Sequence, residues 1–219
     1  MVKITLIKPL LIALYGFPGS GKSYVARQLS EELKIPHLSA DRIRAELFER
    51  PAYTHQENKV IDHLMRYMTQ EFLNSGVSVI YDANAMRAGQ RYALRQLARK
   101  CHSAYQLIWI QIDPDTALSR TQKRDRRTSD DKFSMEHTEE SFRSYSAGMQ
   151  NPANEEYLVI SGKHTFATQR SAIINRLYHD GLVDASTMQH SVAKPGLVNL
   201  VPNPRAGRVD LNRRNIVIS

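Results

Sequence analysis

The chain is short of cysteine and of long apolar runs, and these shortages exclude several classes of protein. Its single cysteine, Cys101, excludes a disulfide within the chain and a zinc site built from cysteines, and it fits a reducing, cytoplasmic location. The apolar stretch 1–16 is interrupted by Lys3, Lys8 and Pro9. It therefore predicts a first β-strand instead of a signal peptide or a transmembrane segment, and we expect no membrane association.

Acidic residues are scarce relative to basic ones. The 219 residues include 30 Lys and Arg against 22 Asp and Glu, which gives a formal net charge of +8. The composition is otherwise that of an ordinary globular protein, with 42% hydrophobic and 24% charged residues. The charge predicts anionic partners such as nucleotides or nucleic acid, and it does not choose between them.

Five short apolar runs recur along the chain, separated by helical patterns. The runs are LLIALY (10–15), IPHLS (35–39), VSVIYD (77–82), YQLIWIQID (105–113) and YLVIS (157–161). Because these runs do not alternate apolar with polar residues, they predict strands that are buried on both faces. The sequence therefore predicts an α/β, doubly wound, three-layer fold around a five-stranded parallel sheet.

Helix signals and a change of composition set the expected domain limits. Thr54 and Glu57 have the spacing of a capping box at the start of a long amphipathic helix. The alternation of helices and strands continues far enough to predict one domain over residues 1–182. The tail 183–219 carries prolines, glycines and basic residues without a helical period. It is either a basic arm or an extended segment lying along the domain.

A glycine-rich stretch, GFPGSGKS at 16–23, lies between the first predicted strand and a predicted helix. It matches the pattern G-x-x-x-x-G-K-[ST] at Gly16, Gly21, Lys22 and Ser23. Glycines let backbone N–H groups point at phosphate oxygens, Lys22 reaches the β- and γ-phosphates, and the Ser23 hydroxyl is a ligand for Mg²⁺. The motif predicts binding of ATP or GTP together with Mg²⁺ and leaves the phosphate acceptor open.

Asp41 follows the second predicted strand, so it is expected at the same edge of the sheet as the glycine-rich loop, where ligands of open α/β sheets bind. Arg44 lies three residues later, on the same face if the segment is helical. The alternative is that Asp41 only caps a helix that begins at Arg42. The local sequence favours neither interpretation.

Asp82 and Asn84 repeat this arrangement after the third predicted strand, and Arg87 follows them at the start of a basic helix. Asn84 as a helix cap is the alternative here. Two acidic residues at the ends of neighbouring strands, beside one phosphate-binding loop, favour a functional role for both.

Arg120 and Arg124 belong to a run of basic residues that ends a predicted helix. Such a run is usually an exposed helix face, but the polar segment that follows it has the composition of a lid over the nucleotide. Farther along that segment, Phe142 and Tyr145 either pack in the core or shape a substrate surface, and core packing is the favoured interpretation.

Taken in order, GFPGSGKS, SADRIR, VIYDAN and DPDTALSRTQKR resemble the AAA-type, ATP-binding P-loop kinases, a family that includes the phage-type polynucleotide kinase, zeta-toxin-like kinases and gluconate kinase. The resemblance covers roughly residues 10–180 and implies the P-loop NTPase fold with a helical lid at about 120–152. It implies ATP and Mg²⁺ as ligands, with Ser23 holding the metal. The implied nucleotide contacts are Gly16, Pro18, Gly19, Ser20, Gly21, Lys22, Ser23, Tyr24, Arg120 and Arg124.

The resemblance also implies roles on the acceptor side. Asp41 is the expected base at the acceptor hydroxyl, and Arg44 the expected ligand of an acceptor phosphate or carboxylate. Lys22 and Arg124 are expected to supply catalytic positive charge. The expected lining of the acceptor pocket, or of the surroundings of Mg²⁺, is Asp82, Asn84 and Arg87. Polynucleotide kinases carry two acidic residues where this chain has Ala40 and Asp41, so the acceptor pocket is expected to differ.

We therefore expect an ATP-dependent kinase that phosphorylates a hydroxyl group. The basic charge favours RNA or DNA as the acceptor. A small-molecule acceptor is the alternative within the kinase class, such as a sugar, a nucleotide or an antibiotic. An NTPase or a conformational switch is the alternative outside it, although no strand ends in the Asp-Glu pair that such proteins normally use. The sequence does not indicate an oligomeric state.

Overall fold

The computed structural model describes residues 4–124, 133–135 and 137–184. Part of the predicted lid and nearly all of the predicted tail, from residue 185 onward, lie outside these ranges. The described strands are β1 (Leu10–Tyr15), β2 (His37–Ser39), β3 (Val79–Asp82), β4 (Ala104–Gln111) and β5 (Leu158–Ser161). The described helices are α1 (Lys22–Leu33), α2 (Ala40–Leu47), α3 (His55–Asn74), α4 (Ala88–Lys100), α5 (Pro114–Gln122), α6 (Glu139–Ala147) and α7 (Phe166–His179).

The five strands form one parallel sheet in the order β2-β3-β1-β4-β5, as the unalternating apolar runs predict. Every side chain of β1 is buried. Leu10, Ile12 and Leu14 pack into one apolar cluster with α1 and α7. The intervening side chains of β1 pack into a second cluster with α3 and α4. The predicted α/β, doubly wound, three-layer fold is thus confirmed, and its carboxyl-end edge carries the turns that follow β1, β2 and β3.

The helix limits follow from local sequence signals. Thr54 Oγ1 accepts the Glu57 N–H at the start of α3, but the Glu57 side chain bonds other backbone groups, so the capping box is half formed. Asp113 caps α5, with Pro114 at its first position. None of the helices in the described ranges is long and apolar enough to cross a bilayer.

A buried ion pair fixes the segment between α6 and β5. Arg91 on α4 is fully buried, and its guanidinium donates to both Glu155 carboxylate oxygens, with the shortest contact at 2.8 Å. The same guanidinium donates to the carbonyl oxygens of Ala85 and Gln150 at 3.0 and 2.9 Å, and it lies against the ring of Tyr15. Arg91 therefore joins α4, the end of β1 and the chain entering β5.

We expect Glu155→Ala to lower the free energy of unfolding by about 3–5 kcal/mol, because it leaves the Arg91 charge buried without its partner. The matched control is Glu139→Ala, which removes an exposed ion pair with Arg143 within α6 and is expected to cost about 1 kcal/mol or less. Urea denaturation measures both values. Equal losses in the two variants would contradict the role assigned to the buried pair.

Candidate functional site

A cavity of about 930 Å³ lies at the carboxyl-end edge of the sheet. It is bounded by the glycine-rich loop, the turns after β2 and β3, the end of α5, and the turn after β5. The predicted site residues that line it are Pro18, Gly19, Ser20, Gly21, Lys22, Ser23, Tyr24, Asp41, Arg44, Asp82, Asn84, Arg120 and Arg124. Gly16, the first residue of the loop, is buried and does not line the cavity. Arg87 is exposed at the start of α4 and does not line it either.

The glycine-rich loop packs tightly against β4 and α5. A Cβ atom on Gly16 would lie 2.5 Å from the carbonyl oxygen of Ile110, and one on Gly19 would lie 2.3 Å from that of Ala117. Gly19 also has φ of +78°, a conformation that favours glycine. Gly21 precedes α1, so the N-terminus of this helix opens toward the cavity. The loop therefore has the geometry of an anion site built from backbone N–H groups.

Lys22 crosses the loop from its position at the start of α1. Its Nζ donates to the carbonyl oxygens of Gly16 and Phe17, at 2.9 and 2.7 Å. Burial lowers the pKa of Lys22 to about 8, and the carboxylate of Asp82 partly opposes this effect. A cation with a lowered pKa inside an anion-binding loop gains strongly from a phosphate ligand, which stabilises its charged form.

Asp41 lies in the first turn of α2 and faces the cavity. The cap of α2 is Ser39, whose hydroxyl accepts the Arg42 N–H, so Asp41 is not the helix cap. Burial and the nearby carboxylate of Asp82 raise the pKa of Asp41 to about 6, while Arg44 opposes the shift. A carboxyl group with this pKa is mostly ionised at pH 7, yet it still accepts a proton readily, which is what a general base requires.

Asp82 and Asn84 line the cavity together with Asp41. Asp82 Oδ2 lies 2.9 Å from His37 Nε2. Asn84 Oδ1 accepts the Gly16 N–H at 3.4 Å, and its Nδ2 donates to the Tyr145 hydroxyl at 3.1 Å. The helix cap of α4 is Arg87, so the alternative interpretation of Asn84 as a cap is wrong. Asn84 instead connects the glycine-rich loop to α6.

Arg120 and Arg124, the two predicted lid arginines, bond to different segments of the chain. Arg120 Nη1 donates to the carbonyl oxygen of Gly162 in the turn after β5, at 2.8 Å. Arg124 Nη1 donates to the carbonyl oxygen of Met135 at 2.6 Å. Both line the cavity, but only Arg120 lies within α5. The other arginines of the basic run, at 126 and 127, lie outside the described residues.

Several residues of the cavity carried no signal in the sequence. Tyr53, Asn58 and His137 line it without belonging to any motif. Phe142 is buried in the core, as favoured, whereas Tyr145 shapes the cavity instead. Burial and then the charges of Arg124 and Lys22 lower the pKa of His137, so its imidazole is neutral at pH 7. Only the fold brings these side chains beside Asp41.

The residues present fit a nucleoside triphosphate with Mg²⁺. The loop presents N–H groups, the Lys22 cation and the Ser23 hydroxyl to one space, and Asp82 is a carboxylate beside it. Within the described ranges no group of three or more His, Cys, Asp or Glu residues could hold a metal by itself. Mg²⁺ commonly uses one or two protein oxygens together with substrate phosphates, so this donor set suits it.

Comparison with known proteins places the chain by family and fold. A family model described as an AAA domain matches residues 11–152, well over half of the chain. No curated protein sequence matches. Solved structures with the same fold include a sugar kinase from Janibacter sp. HTCC2649, at 15% identity with a TM-score of 0.56, covering 80% of this chain and 95% of its own.

Two further kinases share the fold. A gluconokinase from Sinorhizobium meliloti 1021 has 17% identity and a TM-score of 0.57, covering 78% of this chain and 97% of its own. The APS kinase of Mycobacterium tuberculosis, in complex with AMPPNP and APS, has 15% identity and a TM-score of 0.58, covering 78% of this chain and 98% of its own. The predicted resemblance to P-loop kinases is thus confirmed, and with it the P-loop kinase fold.

We expect Asp41→Asn to raise the stability of the nucleotide-free protein by on the order of 1–3 kcal/mol at pH 8. A carboxyl whose pKa is higher in the folded state destabilises the fold above that pKa, so the gain should shrink as the pH falls from 7 to 4. Asp115→Asn is the control, because Asp115 is an exposed carboxylate in the first turn of α5. Urea denaturation across pH measures both; an equal, pH-independent effect would contradict the shift.

We expect the affinity for ATP to fall above about pH 8, by up to tenfold per pH unit, because Lys22 loses its proton there in the nucleotide-free protein. Lys22→Arg should bind ATP more weakly at pH 7 but should lose the alkaline fall, since a guanidinium stays charged. Calorimetric titration between pH 6.5 and 9.5 measures the dissociation constants. A flat wild-type profile would contradict the assignment.

Proposed function

We propose that this chain, which belongs to the AAA domain family, is an ATP-dependent kinase that transfers the γ-phosphoryl group to a hydroxyl group of a small molecule. One observation carries the proposal. A single cavity joins the phosphate-binding loop to Asp41, whose pKa of about 6 suits a base near neutral pH. Donor and acceptor sites thus share one space.

The chain's residues divide the reaction between them. The acceptor oxygen bonds to the γ-phosphorus, the bond from that phosphorus to the bridging oxygen breaks, and ADP leaves. Asp41 orients the hydroxyl and takes its proton. Lys22, Arg124 and the loop N–H groups stabilise the negative charge that spreads over the transferred group. Bound Mg²⁺ would neutralise phosphate charge further, with Ser23 and Asp82 as the residues to hold it.

The acceptor is better supported as a small molecule than as nucleic acid. The similar solved structures described above are a sugar kinase, a gluconokinase and an APS kinase, so the predicted RNA or DNA acceptor gains no support from them. An NTPase without an acceptor is also less well supported. Ala83 follows Asp82, and Asp113 is engaged in capping α5 and in an ion pair with Lys163 at 2.6 Å.

Incubation with γ-labelled ATP tests the proposal against a panel of sugars, nucleosides, aminoglycosides, tRNA and 5′-hydroxyl oligonucleotides. We expect label on a small-molecule hydroxyl. Label only in inorganic phosphate would support an NTPase, and label on an oligonucleotide would restore the nucleic-acid acceptor.

We expect Asp41→Ala to lower acceptor phosphorylation by about 10²–10⁴-fold while ATP binding is retained, because the base is lost but the loop is not. Asp115→Ala, at the exposed first turn of α5, is the control and should keep wild-type activity. Initial rates and ATP titrations measure the two effects. Undiminished phosphorylation by Asp41→Ala would show that Asp41 is not the base.

A further inference from the structure

Tyr53 has a backbone conformation that its place in the chain does not explain. The non-glycine residues with positive φ in the described ranges are Lys34, Tyr53, His102 and Asn154. Lys34 and His102 lie at the C-terminal ends of helices, where this conformation is common, and asparagine adopts it readily. Tyr53, at φ of +55°, instead precedes the cap of α3, Thr54. Strain of this kind is typical of functional positions.

The backbone of Tyr53 is held on both sides by side chains of α3. Its N–H donates to Glu57 Oε2 at 2.6 Å, and its carbonyl oxygen accepts the Asn58 Nδ2 donor at 3.1 Å. Arg44 on α2 bonds the same two side chains, because it donates to Glu57 Oε2 at 3.3 Å and to Asn58 Oδ1 at 2.8 Å. This turn is therefore fixed to both helices by a connected set of hydrogen bonds.

The side chain of Tyr53 lines the cavity together with Asp41. Its ring centroid lies 4.5 Å from the guanidinium carbon of Arg44. Burial and then the Asp41 carboxylate raise the pKa of Tyr53, so its hydroxyl keeps its proton at neutral pH. Among the described residues, none forms a hydrogen bond with this hydroxyl. The fold thus places an O–H donor without a partner in the space that contains the proposed base.

A purely structural role for Tyr53 accounts for less of this geometry. A residue directly before a helix cap often packs as an apolar contact against the fourth residue of the helix. Here that fourth residue is Asn58, whose polar side chain bonds the Tyr53 carbonyl oxygen instead. Packing of the ring against Arg44 would be satisfied equally by a phenyl ring. Neither contact uses the hydroxyl.

We infer that Tyr53 binds the phosphate acceptor through its hydroxyl group and positions it for Asp41, an inference that rests on the kinase function proposed above. The O–H donates to an oxygen or nitrogen of the acceptor other than the hydroxyl that is phosphorylated. Sugars and nucleosides carry such a second polar group, whereas an alcohol with a single hydroxyl does not. Arg44 Nε is also buried without a partner in the described ranges, so the phosphate or carboxylate ligand that the resemblance implied for Arg44 stays a prediction.

Tyr53→Phe tests the inference, because it removes the hydroxyl and keeps the ring and its contact with Arg44. The assay uses γ-labelled ATP and the panel of sugars, nucleosides, aminoglycosides, tRNA and oligonucleotides, and it continues with the member that the wild-type protein phosphorylates at the highest kcat/KM. We expect kcat/KM for this acceptor to fall roughly three- to tenfold, as for the loss of one hydrogen bond, while the dissociation constant for ATP changes by less than about twofold. Tyr67→Phe, at an exposed tyrosine of α3, is the matched control and should leave both values unchanged.

The pH profile separates acceptor binding from an effect through Asp41. We expect the acid limb of kcat/KM to stay at about pH 6 in Tyr53→Phe, because burial and Asp82 raise the pKa of Asp41. A shifted acid limb, undiminished acceptor phosphorylation or an equal loss of ATP affinity would overturn the inference while the kinase function stands. Label that appears only in inorganic phosphate would overturn the proposed function and the inference with it. If Tyr53→Phe fails to fold, Tyr53→Asn is the second variant, because asparagine tolerates positive φ, and it should show the same selective loss.

Discussion

The complete burial of β1 is the constraint on which the rest of the structure depends. All six of its side chains are inaccessible to solvent, and its backbone pairs with β3 and β4 on either side. A strand with both faces and both edges covered can present polar groups only where it ends. At that end Gly16 opens the phosphate-binding loop, and the Tyr15 hydroxyl donates to Asn151 Oδ1 at 2.8 Å. The buried strand therefore ends at Tyr15, directly before the loop. The hydrogen bond of Tyr15 to Asn151 also attaches the chain that follows α6 to this point.

Asp41 and Lys22, at the carboxyl-end edge of the sheet, destabilise the folded protein when they are ionised. Burial and the nearby carboxylate of Asp82 raise the pKa of Asp41, and burial lowers the pKa of Lys22. Shifted pKa values of this kind are typical of functional sites, because phosphoryl transfer needs fixed charges in a place that excludes water. The surrounding fold, including the buried Arg91 and Glu155, supplies the stability that holds them together. Of the arginines that are buried in the described part of the chain, Arg91 stabilises the fold, whereas Arg44 lines the cavity.

Much of the fold could be predicted from the sequence because its signals are local. The apolar run 10–15 coincides with β1, and the runs for the other strands overlap β2 to β5 within two residues at each end. The glycine-rich loop and the residues just after β2 and β3 were also predictable, since parallel strands bring their carboxyl ends together. Tyr53, Asn58 and His137 were not, because they reach the cavity from segments whose packing no local pattern encodes. For Tyr145 the sequence left two alternatives open, and only the packing of α6 places it at the cavity. The burial of Arg91 was not predictable for the same reason, because its partner Glu155 is 64 positions away.

The prediction of a nucleic-acid acceptor rests on net charge and gains no support from the similar solved structures. A formal charge of +8 describes the whole chain, and part of it lies in the tail beyond the described residues. The choice of acceptor depends instead on charges within a few ångströms of the reacting hydroxyl, where interactions are least screened by salt and water. At that scale the described part of the chain places two carboxylates, Asp41 and Asp82, among the cations that line the cavity, which are Lys22, Arg44, Arg120, Lys123 and Arg124. The net charge of the whole chain therefore does not identify the acceptor, which depends on how these few charges are arranged around the reacting hydroxyl.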